Sequence, residues 1–269
     1  IHILHVDDDR DFAELTASFL KRDDDRFSIE IETHADTALD ALTNRRFDCI
    51  ISDYDMPNQN GIQFLEAVRE DYPELPFILF TGKGSEAVAS EAISAGVTDY
   101  LQKESGTEQY TVLANRIRNA VERARAQAEQ QRQFNAIETA REGISILDED
   151  RQFAYVNQAY ADLYGYGPDE LVGESWEVLY RDEDLDKIQD EILPAAESTG
   201  YWHGETIGVR ADGDTFTEDH VLALTDNDEL ICTVRDVTPH IERARELERA
   251  QARLAALFEN SPDMISTHD

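Results

Sequence analysis

Cysteine is nearly absent from this 269-residue chain: Cys49 and Cys232 stand alone. Two cysteines in separate strand-like runs build neither a disulfide framework nor a zinc site of paired thiolates. Long apolar runs are missing as well, and none approaches the ~18 residues of a membrane-spanning helix. The chain opens on a strand-like run, so no signal peptide is visible. The expectation is a cytoplasmic protein with no membrane attachment. Lysine is confined to Lys21, Lys83, Lys103 and Lys187, and 24 basic residues face 58 acidic ones, a formal charge of -34. That imbalance argues against nucleic acid or an anionic membrane as a partner of this segment. The acids run along the whole length instead of gathering in a tail. This is the surface chemistry of salt-loving proteins, whose self-repulsion is screened by molar salt. What is present suffices for folding: 41% hydrophobic and 9% aromatic residues, in a length that accommodates two domains.

The most informative stretch is Phe47-Asp48-Cys49-Ile50-Ile51-Ser52-Asp53, an apolar run without helical period that stops at an acid. Such a run fits a strand buried on both faces. Ile1 to Val6, Phe27 to Thr33, Pro76 to Thr81 and Val97 to Leu101 read as further strands. Helical patterns lie between them: Asp11 to Lys21, a segment capped by Asp36, Gly61 to Tyr72, and Ser85 to Ala95. Five alternations of strand and helix predict an α/β doubly wound parallel five-stranded sheet. The carboxyl ends of its strands lie together. They would gather Asp7 and Asp8, Asp53, Thr81 and Lys103. Carboxylates in one cleft repel one another unless a cation joins them, and an all-oxygen ligand set favours Mg²⁺. Phosphoryl transfer asks for alignment and charge neutralisation, which this cation, Lys103 and the Thr81 hydroxyl would supply.

Val6-Asp7-Asp8, Asp53-Tyr54-Asp55-Met56-Pro57, Phe80-Thr81-Gly82 and Ala95 to Lys103 together resemble the flavodoxin-like receiver domain of two-component response regulators. The resemblance implies that Asp53 is the phosphoacceptor, Asp8 a direct Mg²⁺ ligand and Asp7 a ligand through water, with Asp55 lending its carbonyl. It implies Thr81 and Tyr100 as the switch pair and Lys103 as the partner of the phosphoryl group, and a cognate histidine kinase or phosphotransfer protein as donor. Two features depart from the pattern. Glu104 stands where the family has proline after its lysine, and Asp9 offers a rival register in which Asp8 and Asp9 form the acidic pair. Gly82-Lys83-Gly84-Ser85 lacks the spacing of a nucleotide loop and reads as a glycine turn.

From Gln109 to about Gln133 the chain has no Gly or Pro. Leu113, Ile117, Ala120, Ala124, Gln127, Gln131 and Phe134 alternate steps of four and three, a weak coiled-coil seam expected to join two copies in a homodimer. Beyond it, two hairpin strands, short helical pieces with a longer helix over Asp182 to Glu197, and a three-strand meander predict an α+β domain with a five-stranded antiparallel sheet. Phe153 to Tyr160, Tyr164-Gly165-Tyr166, Glu170 to Gly173, Trp202 to Glu205, Asp212 to Phe216 and Arg235 to Thr238 resemble a PAS domain. A photosensor cysteine in its helical motif and a haem-ligating histidine on the long helix are both missing, so the PAS ligand is unknown and no cofactor is identified. His203 and His220 read as surface or structural residues, and Phe153, Tyr155, Tyr160, Tyr164 and Trp176 as core.

The expected organisation is a receiver over 1-122, a helical linker over 123-134, a PAS domain over 135-239, a second helical linker over 240-257, and at 258-269 the start of a further, truncated PAS domain. The predicted function is phosphorelay signalling without a kinase core in this segment, which is read as part of a longer protein. Two fuller identities stay open: the N-terminal part of a hybrid histidine kinase, or of a bacterio-opsin-activator-like transcription regulator. A haloacid-dehalogenase-like phosphatase, with Asp7 and Asp9 as its acid pair, is a weaker fit.

Overall fold

The computed structural model describes residues 1–82 and 86–259. The chain forms two compact units, Ile1–Gln131 and Arg132–Asp269. The glycine turn expected at 82–85 and the further PAS start at 258–269 lie largely outside the described residues.

In the first unit β1 (His2–Val6), α1 (Arg10–Asp23), β2 (Ser28–Glu32), α2 (Ala35–Asn44), β3 (Cys49–Ser52), α3 (Gly61–Asp71), β4 (Phe77–Thr81), α4 (Glu86–Ser94) and β5 (Asp99–Gln102) alternate, followed by α5 (Glu108–Glu138). The strands pair in parallel in the order β2-β1-β3-β4-β5. Period-two alternation divides the core between the two faces of the sheet. Leu4, Val6, Ile50, Phe77 and Leu79 pack on one side, and Ile3, Cys49, Ile51, Ile78 and Phe80 on the other. Burial of both faces is what made these strands read as continuous apolar runs.

Two local expectations are corrected. Asp36 does not cap α2; His34 is its N-cap, without a side-chain bond, and Asp36 lies inside the first turn, where its carboxylate favours the positive helix end. Nor is the whole expected seam free for a partner. Leu113 and Ile117 are fully buried in this unit's own core and Ala120 nearly so. Only the stretch from Ala124 onward is left for other use, and it is mostly exposed.

The second unit contains β6 (Gly143–Leu147), β7 (Phe153–Val156), α6 (Gln158–Tyr164), α7 (Pro168–Leu171), α8 (Asp182–Lys187), α9 (Leu193–Thr199), β8 (Tyr201–Val209), β9 (Thr215–Leu224), β10 (Leu230–Asp236) and α10 (Thr238–Glu259). Its antiparallel sheet runs β7-β6-β10-β9-β8. The single helix expected over 182–197 is instead α8 and α9 joined by a π-helical turn, Ile188–Ile192. Pro194 in the first turn of α9 explains the break: it has no N–H to continue the regular ladder. Phe153, Tyr160, Tyr164 and Trp176 belong to the core between helices and sheet. Tyr155 does not; it is half-buried and donates to Glu138 Oε1 at 2.5 Å. Among the described residues no helix is long and apolar enough to cross a membrane.

Candidate functional site

Strand register assembles the site. Val6 pairs with Ser52 across β1 and β3, and the Asp53 N–H donates to the Val6 carbonyl at 2.8 Å. Asp7 and Asp53 therefore leave neighbouring strands side by side. Thr81 pairs with Gln102 across β4 and β5, and the Lys103 N–H donates to the Thr81 carbonyl at 2.8 Å. The lysine thus enters from the far side of the same rim. Behind Asp53, α3 begins with a capping box in which the Asn60 side chain accepts from Ile62 and Gln63. Gly61 is required there: a Cβ would collide with the Asp53 carbonyl oxygen and press on Tyr54.

Lys103 Nζ lies 2.8 Å from Asp7 Oδ2 and 3.0 Å from Asp53 Oδ1. Ligand atoms of Asp7, Asp8 and Asp53 lie within 4.8 Å of one another, with Asp8 exposed and the other two buried. Asp7 is 1% exposed and Asp53 6%. Burial raises the Asp7 carboxyl above its ordinary value; Lys103 opposes the shift and Asp53 adds to it. Asp7 Oδ1 accepts from the Asp9 N–H at 3.0 Å, and Asp53 Oδ2 from the Asp55 N–H at 3.0 Å. Asp53 Oδ1 accepts no well-formed hydrogen bond, its ion pair with Lys103 being poorly aligned for one. One ammonium cannot balance three carboxylates, and a buried oxygen is left short of a partner. The set suits a hard cation with oxygen ligands.

Every sequence-predicted residue lies at this rim or beside it. Asp7, Asp8, Asp53 and Lys103 come together. Thr81 is fully buried at the end of β4. Tyr100 lies on β5 opposite Leu79, half-buried. Asp55 is exposed in the loop after β3. Asp9 takes another job: its side chain caps α1 by accepting from the Phe12 N–H at 3.0 Å, which disfavours the Asp8/Asp9 register. Two contributors were not anticipated. The Phe12 ring centre lies 4.3 Å from Lys103 Nζ, a cation–π contact that helps hold the ammonium. His5 lies beneath Asp7, with Nε2 3.9 Å from Asp7 Oδ2. Burial, aided by Lys103, lowers its imidazole to about 3. An imidazole between the apolar residues Leu4 and Val6, two positions before the paired acids, was the sequence signal for it.

Comparison with known proteins agrees with this geometry. The family model of the response regulator receiver domain matches residues 3–115, and that of the PAS fold residues 131–237. The chain is 31% identical over 128 residues to the transcriptional regulatory protein FixJ of Bradyrhizobium diazoefficiens, covering 47% of this chain and 62% of that one. It is 31% identical over 163 residues to the transcriptional regulatory protein CpxR of Escherichia coli, covering 61% and 67%. It is 26% identical over 173 residues to the bacterioopsin transcriptional activator of Halobacterium salinarum, covering 58% of this chain but 26% of that one. The chain therefore spans between 26% and 67% of the length of these relatives. It belongs to the response regulators of two-component signalling, with a receiver domain followed by a PAS domain.

Proposed function

We propose that Asp53 stores a phosphoryl group taken from a histidine kinase or phosphotransfer protein, and that the stored charge is the signal. The observation that carries the reading is the single ammonium of Lys103 between two buried carboxylates, with a third close by. Asp53 Oδ1, lacking a hydrogen bond, would form the new bond to phosphorus while the donor's phosphorus–nitrogen bond breaks. Lys103 would move its contact from a carboxylate to a phosphoryl oxygen, and the Thr81 hydroxyl would meet another. Asp8 and Asp53, Asp7 through water and the Asp55 carbonyl would hold Mg²⁺, which when bound neutralises the carboxylates and the transferring oxygens. Thr81 and Tyr100 then form the switch pair that reports the new charge.

Incubation with acetyl phosphate and Mg²⁺, read by intact mass, tests this. Asp53→Ala should lose the added mass and Asp9→Asn should keep it. Label that persists in Asp53→Ala and disappears in Asp9→Asn would overturn the assignment in favour of a phosphatase-like arrangement.

We further infer a haloarchaeal-type signalling protein acting in the cytoplasm. Support comes from the formal charge of -34 and the likeness to the Halobacterium activator. Of the two fuller identities, that likeness favours a bacterio-opsin-activator-like regulator over a hybrid histidine kinase. The exposed second half of α5 and α10 would form the coiled-coil contacts of a homodimer, which light scattering of the full chain would reveal.

A further inference from the structure

The two edges of the PAS sheet are finished differently. Along β7 the outer edge is closed: the Phe153 N–H donates to the Glu174 carbonyl and the Gly173 N–H to the Phe153 carbonyl, both at 2.9 Å. Along β8 it is open. Among the described residues β8 pairs with β9 alone, over nine consecutive residue pairs without a register shift. Backbone groups of an antiparallel strand turn alternately to one side and the other, and the flanking bonds fix the phase. The Gly200 carbonyl accepts from the Leu224 N–H at 3.0 Å, and the Arg210 N–H donates to the Asp214 carbonyl at 2.9 Å. Even-numbered residues therefore face β9, and Tyr201, His203, Glu205 and Ile207 face away from it. Tyr201 agrees, since its outward N–H and C=O both meet the Thr199 hydroxyl, at 3.3 and 2.6 Å. The backbone groups of His203, Glu205 and Ile207 have no partner among the described residues.

Sheet edges are ordinarily blunted by lysine, proline or a bulge. β8 has none of these, and its one carboxylate is Glu205. Tyr201 is 54% exposed and Ile207 37%, on the same outer face as His203 and Glu205. Glu205 makes no hydrogen bond or ion pair among the described residues, and across β9 it lies opposite another acid, Asp219. Asp219 is already served, by His203 Nε2 at 2.6 Å and Arg235 Nη2 at 3.0 Å.

A second β8 laid antiparallel along this edge must pair outward residues with outward residues. A two-fold axis at Glu205 sets acid against acid, and one at His203 sets imidazole against imidazole. An axis at Thr206 sets Glu205 against Ile207. An axis at Gly204 sets Glu205 against His203 and Tyr201 against Ile207, and repeats both by symmetry. Acid with imidazole and aromatic with β-branched are the favourable cross-strand pairs. We propose that β8 is a pairing edge for a second copy of this chain, with its two-fold axis at Gly204, so that two PAS sheets join into one. His203 of each copy exchanges backbone hydrogen bonds with Glu205 of the other. The contact does not draw on the helical seam.

Amide exchange of the full-length protein tests this, followed residue by residue by NMR in molar salt to screen the formal charge of -34. A single strand pair is a small contact, so protection should build between about 10 µM and about 1 mM protein. Over that range the His203, Glu205 and Ile207 amides should slow at least about tenfold. Those of Trp202 and Thr206, already bonded to β9, should not change. Proline is tolerated at an outward edge position. Glu205→Pro should therefore leave the Trp202 and Thr206 amides as they were and remove the concentration dependence at His203 and Ile207. His203→Glu alters no backbone group and should do the same by setting acid against acid. His203→Glu combined with Glu205→His should restore the protection. Concentration-independent exchange at the outward amides, protection retained in Glu205→Pro, or no recovery in the combined variant would each overturn the proposal. A dimer held by the helices alone would give the first of these results.

Discussion

The two buried acidic centres solve the same problem in opposite ways. At the receiver rim, carboxylates are balanced by a cation: Lys103 bridges Asp7 and Asp53, and the exposed Asp8 keeps the mouth open to solvent. In the PAS core, Glu218 is fully enclosed and accepts from three hydroxyls, those of Tyr164, Tyr180 and Thr206, with the His220 imidazole 3.8 Å away. Ionic partners can be exchanged when a new charge arrives, because an ammonium serves any nearby oxygen. Hydroxyl partners are directional, and each hydrogen given to Glu218 is one that cannot be given elsewhere. The first centre is built to change its charge. The second commits three hydroxyl hydrogens to one enclosed carboxyl.

The comparison is tested most strongly at Glu218. Glu218→Ala leaves three buried hydroxyls without their acceptor and opens a void. The expected loss is about 3–5 kcal/mol of PAS stability, seen as a lower urea midpoint by tryptophan emission, which reports on this unit alone. Glu218→Gln retains one acceptor oxygen and should lose less. A loss below about 1 kcal/mol for Glu218→Ala would mean that the network does not depend on its carboxyl. Next in size is Lys103→Ala at the other centre. Removing this ammonium should slow labelling by acetyl phosphate about 100-fold, read by intact mass against time. A rate within about threefold of the unaltered protein, roughly 0.7 kcal/mol, would show that the ion pair is structural only. Smaller again is Phe12→Leu, which keeps apolar volume but removes the ring face near Lys103. A three- to tenfold slower rate is expected, corresponding to about 0.7–1.4 kcal/mol.

How much of each centre was legible follows from the same contrast. The receiver residues end their strands, so an apolar run stopping at Asp7, Asp53 or Thr81 announces them, and a parallel sheet must bring such ends together. What the run cannot show is reach. That Lys103 spans both Asp7 and Asp53 depends on register across three strand pairs. Asp9 escaped for a simpler reason: three consecutive aspartates offer the same chemistry to ligation and to capping, and only the start of α1 at Arg10 separates them. The PAS centre was harder to see because its residues sit mid-strand. Even so, Phe216, Glu218, His220 and Leu222 alternate along β9 and share one face, and that parity places the two polar residues inward. The expected meander is present, with β8 at Tyr201–Val209 and β9 at Thr215–Leu224. The break at Ile188–Ile192 needed more weight on Pro194 than its helical surroundings invited.

The smallest expected difference, and the one that tests how far the receiver centre tolerates a buried base, concerns His5. Neither of its ring nitrogens makes a well-formed hydrogen bond, and its folded value of about 3 lies below the ordinary 6.5 of a free imidazole. Between those two values the unfolded chain binds a proton that the folded one does not, so stability contributed by His5 is full above the unfolded value and drains as pH falls. Asp7 works the other way: its folded value is raised, so the folded form binds the extra proton and gains stability on acidification. The net slope of the unaltered protein mixes the two, but a variant separates them. His5→Leu keeps the volume roughly and removes the base. From pH 6.5 to pH 5 the unaltered receiver should lose up to about 2 kcal/mol more than His5→Leu, at about 1.4 kcal/mol per pH unit. Urea unfolding followed by far-ultraviolet circular dichroism at the two pH values measures this. Equal losses would mean that the imidazole finds a partner or water when charged. The rim would then share with the PAS core a histidine that is held in place, and the contrast between an exchangeable and a fixed centre would narrow to their acids.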